Sequence, residues 1–306
     1  MLSKIDILNE LGKGIVVFPL DANNIKENSL NLCAGQFAWT TESATIYCCD
    51  EENDKDKRFS LEKDDVHNIE IKLEKGRSCT VLDKKNNKYI ILLPLTTTLI
   101  ETKEVLSLSS NIGGTYHSKV GQVSKGLGHI GTMVGPNFSG DSLIAIHNVT
   151  KNMIILKEGE SFVSVVFHYL DTPYTQLNPT TSGHTDKFAA LGIKATEEEL
   201  IILNQDWKKS FLEVCKKMCA SDEFNRIKKE LAEEKKKRFK KWFNKKNILI
   251  VVFTVCVFTG LYFIACAVDK AAENTIWVDR FFNVGFSGIF IFIFSFVSKL
   301  LKNNSR

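Results

Sequence analysis

Two apolar runs near the end of the chain constrain its fold more than any other feature. Residues 248–268 contain no charged side chain, and residues 281–298 contain none either. In a helix the first run spans about 31 Å, which matches the hydrocarbon thickness of a bilayer. The two runs therefore predict a transmembrane hairpin over residues 247–301. A buried helical hairpin in a water-soluble fold is the alternative.

The positive charges that flank the apolar runs predict an orientation. Eight Lys and Arg residues lie between 235 and 246, and further positive residues stand at 299, 302 and 306. The connecting loop, 269–280, carries both signs instead. Because positive residues stay on the cytoplasmic side, we expect an inner-membrane, multi-pass protein with both termini in the cytoplasm. The lipid bilayer is then one of its partners.

The sequence pattern of the first part of the chain is typical of a β fold. Residues 1–172 alternate short apolar runs such as GIVVFPL, YIILLPL and SFVSVVFHYL with turn signals. Many short strands at this spacing predict a β-barrel or sandwich that opens with a helix at residues 3–11. Residues 173–195, rich in polar residues and turn formers, are expected to form a linker.

A helical stalk is predicted for residues 196–246, with a basic segment next to the membrane. Thr196 and Glu199 form a capping box, which marks a helix start. Apolar residues then recur at 200, 203, 207, 211, 214 and 218, a stripe typical of a coiled-coil seam. A helix packed on its own β domain shows a similar stripe, so both interpretations stay open. Ser221 and Asp222 are expected to begin a second helix.

Three segments within residues 1–170 carry a family resemblance. They are MLSKIDILNELGKGIVVFPL at the start, PLTTTLIETKEVLSLSSNIGGTYHSKVG in the middle, and GPNFSGDSLIAIHNVTKNMIILKEGESFVSVVFHYL at the end. Together they resemble the dCTP deaminase family, which has the trimeric dUTPase-like fold. The resemblance implies a dUTPase-like β-barrel or jelly-roll domain, and hence a mainly β chain with a helical stalk and two transmembrane helices. It also implies a homo-oligomer, with a trimer as first choice and a tetramer as second.

The resemblance fails where chemistry is required. Family members use a Glu as general base on the strand after the Phe-x-Gly motif, and that position falls on Ala145, which cannot move protons. Asp141 lies on the same face, but four strand residues span about 13 Å. The family's Arg-Ser-Ser element is replaced by Tyr116, His117 and Ser118. No zinc-deaminase motif is present either. We therefore expect no catalytic residues, no cofactor and no metal.

Binding is expected to survive the loss of catalysis. The resemblance places six polar residues in or beside the region where the family holds its nucleotide, and Lys119 and Lys125 are suited to phosphates. The alternative is that such loop residues are ordinary surface. The predicted ligand is a nucleotide or short oligonucleotide. The candidate residues are Ser118, Lys119, Lys125, His129, Asn137 and His147.

A sensor joined to a membrane hairpin is similar to the membrane effectors of bacterial anti-phage defence, which form pores or disrupt the membrane. Polar residues at membrane depth face protein or water, and these are Asn283, Ser287, Ser295, Thr254 and Thr259. A partner enzyme that synthesises the nucleotide fits this interpretation. Two alternatives remain: an active membrane-tethered dCTP deaminase or dUTP hydrolase, and a membrane scaffold that recruits a protein partner.

Overall fold

The computed structural model describes most of the first 242 residues. These are residues 1–48, 69–83, 85–128, 131–175 and 184–242, together with nine residues between 259 and 271. The chain forms two compact units, Met1–Ile227 and Lys228–Arg306. The first unit contains every strand described below.

More residues of the first unit lie in β strands than in helices, in agreement with the predicted mainly β fold class. Their bounds are β1 Ile15–Phe18, β2 Leu30–Thr40, β3 Ala44–Cys48, β4 Ile69–Leu73, β5 Thr80–Leu82, β6 Lys88–Leu92, β7 Thr97–Leu108, β8 Ile112–Ser118, β9 Leu127–Gly128, β10 Met133–Val134, β11 Ser139–Asn148, β12 Ile154–Lys157 and β13 Ser161–Tyr169.

One helix precedes the β region, a short one interrupts it between β8 and β9, and four follow it in the described part of the chain. They are α1 Lys4–Glu10, α2 Val120–Val123, α3 His184–Leu191, α4 Glu197–Leu203, α5 Phe211–Cys219 and α6 Asp222–Trp242. Short 3-10 helices lie at Ala22–Asn24 and at Asp206–Lys209. We refer to Asp206–Lys209 as the Lys208 turn.

The strands form a main sheet and two small ones. In the main sheet of eight strands the order is β10-β8-β13-β2-β7-β11-β9, and β1 also pairs with β7. The strands β12, β6 and β5 form a second sheet, and β3 pairs with β4. The pairs within these sheets are antiparallel, for example Ala145 opposite Leu99 between β11 and β7. Long β2, β7 and β11 therefore lie side by side at the centre of the fold.

Local sequence signals explain the helix starts. Ser3 caps α1 and Thr196 caps α4, each through a capping box. Ser210 accepts a hydrogen bond from the Glu213 N–H and caps α5, and Ser221 Oγ accepts from the Phe224 N–H in the first turn of α6. The predicted helix starts near residues 3, 196 and 222 are thus confirmed. The stripe from 200 to 218 lies on two helices separated by the Lys208 turn.

The apolar stripe packs on the β domain of its own chain. Leu203, Val214 and Met218 are buried. The Val17 N–H donates to Met218 Sδ at 3.4 Å, which fixes α5 against β1. The Trp207 ring meets Phe18 edge to face, with centroids 6.0 Å apart. Of the two interpretations left open by the sequence, the described residues show packing on the β domain.

The segment predicted as a linker contains α3, and α3 contributes to the core. Phe188 is 3% exposed and packs in one cluster with Trp39, Leu99 and Leu203. The Trp39 and Phe188 ring centroids are 4.8 Å apart. The indole N–H of Trp39 donates to Glu199 Oε2 at 3.2 Å, so the buried polar atom of this ring has a partner.

The predicted localisation is corrected by the helices. Among the described residues, no helix is both long enough and apolar enough to cross a membrane. A crossing helix needs about 20 consecutive apolar residues. The helix α6 has 21 residues, but its sequence DEFNRIKKELAEEKKKRFKKW is densely charged. The prediction of an inner-membrane, multi-pass protein with both termini in the cytoplasm is therefore wrong on this finding.

The residues assigned to a pore fall mainly outside the described part of the chain. This holds for Thr254, Asn283, Ser287 and Ser295. Thr259 is described and is helical. The sequence also predicts an exposed loop for residues 50–65, which are dense in charges and poor in apolar residues. These residues lie outside the described part of the chain.

The position of Phe188 gives a stability prediction. Phe188→Ala should lower the free energy of unfolding by about 3–5 kcal/mol, because it leaves a cavity against Trp39. Leu191→Ala, at a side chain that is 51% exposed on the same helix, is the matched control and should change it by less than about 0.5 kcal/mol. Urea denaturation followed by tryptophan fluorescence measures both. Equal effects of the two variants would contradict the docking of α3.

Candidate functional site

The strand β11 is the natural place to look for chemistry, because the predicted general-base position lies on it. Ala145 packs against the cluster of Trp39, Leu99, Phe188 and Leu203. Phe188 and Leu203 come from α3 and α4, so the chain covers this face of its own strand. The Ala145 methyl group cannot accept a proton, and the side chains of the cluster against which it packs are apolar.

Asp141 lies on the same strand and is engaged by a lysine. Its Oδ2 atom is 2.7 Å from Lys208 Nζ, and Glu101 Oε1 is 3.6 Å from the same nitrogen. The side chains of Asp141, Lys208 and Glu101 are 1%, 8% and 6% exposed. We call these three residues the buried charge cluster. Asp141 is therefore not free to replace a general base at position 145.

Two irregular strand pairings make room for the buried charge cluster. The β11–β7 register shifts between Asp141 and Leu143, and the β2–β7 register shifts between Ala34 and Ala38. Gly35 lies in the second irregularity, where a Cβ atom would stand only 2.9 Å from Glu101 Oε2. A side chain at position 35 would therefore displace the Glu101 carboxyl.

The Lys208 turn is tied to β11 through its backbone as well. Ser139 Oγ donates to the Lys208 carbonyl at 2.8 Å, and Ser139 and Ser107 hydroxyls lie 2.5 Å apart. This hydroxyl pair links β11, β7 and the turn. The Lys208 side chain is thereby aimed at Asp141 from a fixed backbone position.

Burial keeps one member of the cluster protonated. Desolvation, followed by contact with the Asp141 carboxyl, raises the pKa of Glu101 from 4.5 to about 9, although Lys208 acts in the opposite direction. Glu101 therefore carries a proton near neutral pH and donates it in a hydrogen bond to Asp141. One ammonium then faces one carboxylate and one carboxylic acid.

A second group of polar residues surrounds α2. Lys119 Nζ donates to Ser161 Oγ, and Lys125 Nζ lies 3.2 Å from Glu160 Oε1, with both side chains partly exposed. Gln122 Nε2 also donates to Glu160 Oε1, at 2.9 Å. Burial acts to raise the pKa of Glu160, but hydrogen bonds from Gln122 and Lys125 and the charge of Lys125 outweigh it and hold this pKa below its usual value.

A small and mostly apolar cavity lies beneath α2. Its lining residues are Ser118, Gln122, Leu127, Gly128, Ile146, Leu156 and Phe162. Gln122 is 6% exposed, and its Oε1 atom is buried without a hydrogen-bond partner among the described residues. The cavity thus connects the α2 group to the inner side of β11.

The structure brings some predicted binding residues together and separates others. Ser118, Lys119 and Lys125 all lie around α2, and His147 pairs in the sheet with Gly128 at the edge of the same cavity. The His147 Nδ1 atom is 2.8 Å from Thr97 Oγ1. His129 lies outside the described residues.

Asn137 lies away from this group. Its N–H donates to the carbonyl of Ser109, which precedes β8, whereas Ser118 ends that strand. The Asn137 amide donates to the Tyr174 carbonyl at 3.0 Å. Asn137 therefore stands at the opposite end of β8 from the α2 lysines.

Sequence reasoning missed Glu101, Lys208, Gln122 and Glu160. The sequence signal for Glu101 is weak, because its strand LIETKEVLSL also carries Lys103 and Glu104 among its apolar residues. A buried acid in such a strand requires a partner. The sequence gives no comparable signal for Lys208, because two adjacent lysines at 208 and 209 predict side chains exposed to solvent. Its partner is 67 residues away along the chain.

A family profile described as dCTP deaminase-like matches residues 1–170, which is more than half of the chain. The chain therefore belongs to the dCTP deaminase-like family. No curated protein sequence matches the chain.

Solved structures with a similar fold include deaminases and dUTPases. Agrobacterium tumefaciens 2'-deoxycytidine 5'-triphosphate deaminase is 13% identical, with a TM-score of 0.37 over 55% of this chain and 47% of that chain. The EIAV dUTPase is 18% identical, with a TM-score of 0.26 over 32% of this chain and 88% of that chain. A dUTPase of Staphylococcus bacteriophage 80alpha is also 18% identical, with a TM-score of 0.26 over 30% and 80%. The chain spans less than half of the length of the deaminase.

The raised pKa of Glu101 predicts a pH-dependent stability. The folded state holds a proton that the unfolded state releases above its ordinary pKa of 4.5, so this contribution is full below 4.5 and is lost as pH rises through about 9. The loss is at most about 1.4 kcal/mol per pH unit. Glu101→Gln should flatten the profile across this range.

Urea denaturation at several pH values between about 5 and 9 checks this prediction, because this range lies between the ordinary pKa of 4.5 and the raised pKa of about 9. Exposed Glu74 supplies the control, and Glu74→Gln should keep the wild-type slope. The same slope in wild type and Glu101→Gln would show that Glu101 is not buried as an acid.

Proposed function

We propose that the β domain binds a nucleotide and does not deaminate it. Ala145, packed against Phe188 and Leu203, is the observation that carries the proposal. The family resemblance assigns the general base to position 145. The side chain there is only a methyl group, and it packs against apolar side chains of α3 and α4. Binding without turnover makes the domain a sensor of nucleotide levels.

The α2 group supports the binding half of the proposal. Lys119 and Lys125 place two cations beside the cavity that Ser118 and Gln122 line. Their present partners are a hydroxyl and a partly exposed carboxylate, which a phosphate group is able to displace at modest cost because exposed ion pairs contribute little. The polar ends of such a ligand would lie at the surface and its base near the apolar cavity.

The proposal extends to assembly but not to a membrane role. Homo-oligomers, with a trimer first and a tetramer second, follow from family membership and remain a prediction. A nucleotide-synthesising enzyme remains the predicted functional partner. The membrane effector role is not carried forward, because it depended on the corrected localisation.

The catalytic half is tested with dCTP as substrate. Purified wild-type protein should convert no dCTP to dUTP, and Ala145→Glu should not create activity, because the new carboxylate would face Phe188 and Leu203. Chromatography of the nucleotides after long incubation measures the conversion, with the Agrobacterium tumefaciens deaminase as positive control. Turnover by the wild-type protein would refute the proposal.

The binding half is tested with dCTP and dUTP in isothermal titration. The double variant Lys119→Ala/Lys125→Ala should weaken binding of either triphosphate by roughly tenfold or more, since each charged hydrogen bond contributes about 1.5–3 kcal/mol. Lys85→Ala, at an exposed lysine in the β5–β6 connection, should leave the affinity unchanged. Absence of binding by wild type, or equal loss in both variants, counts against the assigned region.

A further inference from the structure

The buried charge cluster has the composition and geometry of a condensation site. An amine, Lys208 Nζ, lies 2.7 Å from one carboxyl oxygen of Asp141. A second carboxyl, that of Glu101, contacts both the lysine at 3.6 Å and the Asp141 carboxyl. All three side chains are more than nine-tenths buried. The described residues of the chain contain no second cluster of this kind among their ion pairs.

The proposed reaction needs Lys208 and Asp141 in their neutral forms, and transfer of one proton between these two side chains supplies both. The free energy needed to desolvate a buried ion pair is often larger than the free energy gained from the attraction between its two charges. Transfer of one proton from the Lys208 ammonium to the Asp141 carboxylate leaves an amine and a carboxylic acid, which carry no charge into the interior. A neutral amine is a nucleophile, whereas an ammonium is not.

We propose that Lys208 and Asp141 form an intramolecular amide bond. Lys208 Nζ attacks Asp141 Cγ, the Cγ–Oδ bond breaks, and the products are a side-chain amide and one water molecule. Glu101 donates a hydrogen bond that polarises the Asp141 carboxyl, accepts a proton from the attacking nitrogen and returns a proton to the leaving oxygen. The protons and electrons balance without an oxidant, a metal or a second substrate.

The fold supplies the positioning that such a reaction requires. Two strands hold the carboxyls, and the hydrogen bond from Ser139 to the Lys208 carbonyl fixes the turn that carries the amine. Reactants held at contact distance gain effective concentrations of about 10⁵ M or more over free solution. The product also replaces a buried ion pair with a neutral amide.

The bond would have a structural consequence for the rest of the chain. It would join β11 to the Lys208 turn, which lies between α4 and α5. The cover over Ala145 would then be covalently attached to the strand it covers. The cover could not be lifted without breaking an amide.

Intact mass spectrometry of the full chain tests the proposal directly. The purified and then denatured wild-type protein should be lighter than its sequence mass by one water molecule. Protease digestion should release a branched peptide that joins Asp141 to Lys208. A mass equal to the full sequence mass after prolonged incubation of the folded protein would overturn the proposal. Loss of water without the branched peptide would also overturn it.

Variants identify the role of each group. Lys208→Arg keeps the positive charge but should abolish the mass loss, whereas Lys209→Arg at the neighbouring residue should retain it. Asp141→Asn should still cross-link and release ammonia in place of water. Glu101→Gln should slow the reaction at least tenfold in protein that remains folded by circular dichroism. Retention of the branched peptide in Lys208→Arg would overturn the assignment, and an unchanged rate in Glu101→Gln would exclude Glu101 as the proton carrier.

Discussion

The packing of α3 and α4 over the central strands is the constraint on which the first unit depends. We call these two helices the cover. The strands β2, β7 and β11 present Trp39, Leu99 and Ala145 to the same cluster, and Phe188 and Leu203 close it. An apolar sheet face left in water would cost roughly 25 cal/mol for each Å² exposed. The chain meets this requirement with its own helices. The same helices thereby determine which parts of β11 any ligand can reach.

The cover brings a charge as well as apolar side chains. Asp141 and Glu101 lie beneath the Lys208 turn, and two acids at such a depth require a proton, a cation or both. Lys208 supplies the cation and Glu101 keeps the proton. Removal of the turn would leave the two acids without their cation, so the turn and the inner strands are electrostatically interdependent.

Much of the fold follows from local signals in the sequence. Period-two apolar patterns predict the strands, and Ser3 and Thr196 predict helix starts because capping is a local interaction. The packing of the 200–218 stripe is different. An amphipathic helix has the same pattern whether it faces a second helix or a sheet.

Local sequence patterns predict only part of the candidate site. Ala145 is identified by the spacing from Phe138 and Gly140, which is local. The contact between Lys208 and Asp141 joins residues that lie 67 positions apart in the sequence. No local sequence pattern predicts such a contact. The apolar runs near the end of the chain predicted a membrane location that the described helices do not support.

Binding and catalysis are separable in this fold because they depend on different places. The α2 lysines lie at the surface beside a cavity, whereas Ala145 lies beneath α3 and α4. In the proposed function, the replacement of the general base affects only the second place. The functional consequence of a fold is set by such sites and not by the strand order. A chain can therefore belong to the dCTP deaminase-like family and retain the cations suited to a nucleotide. It can also use β11 as a docking surface for its own helices.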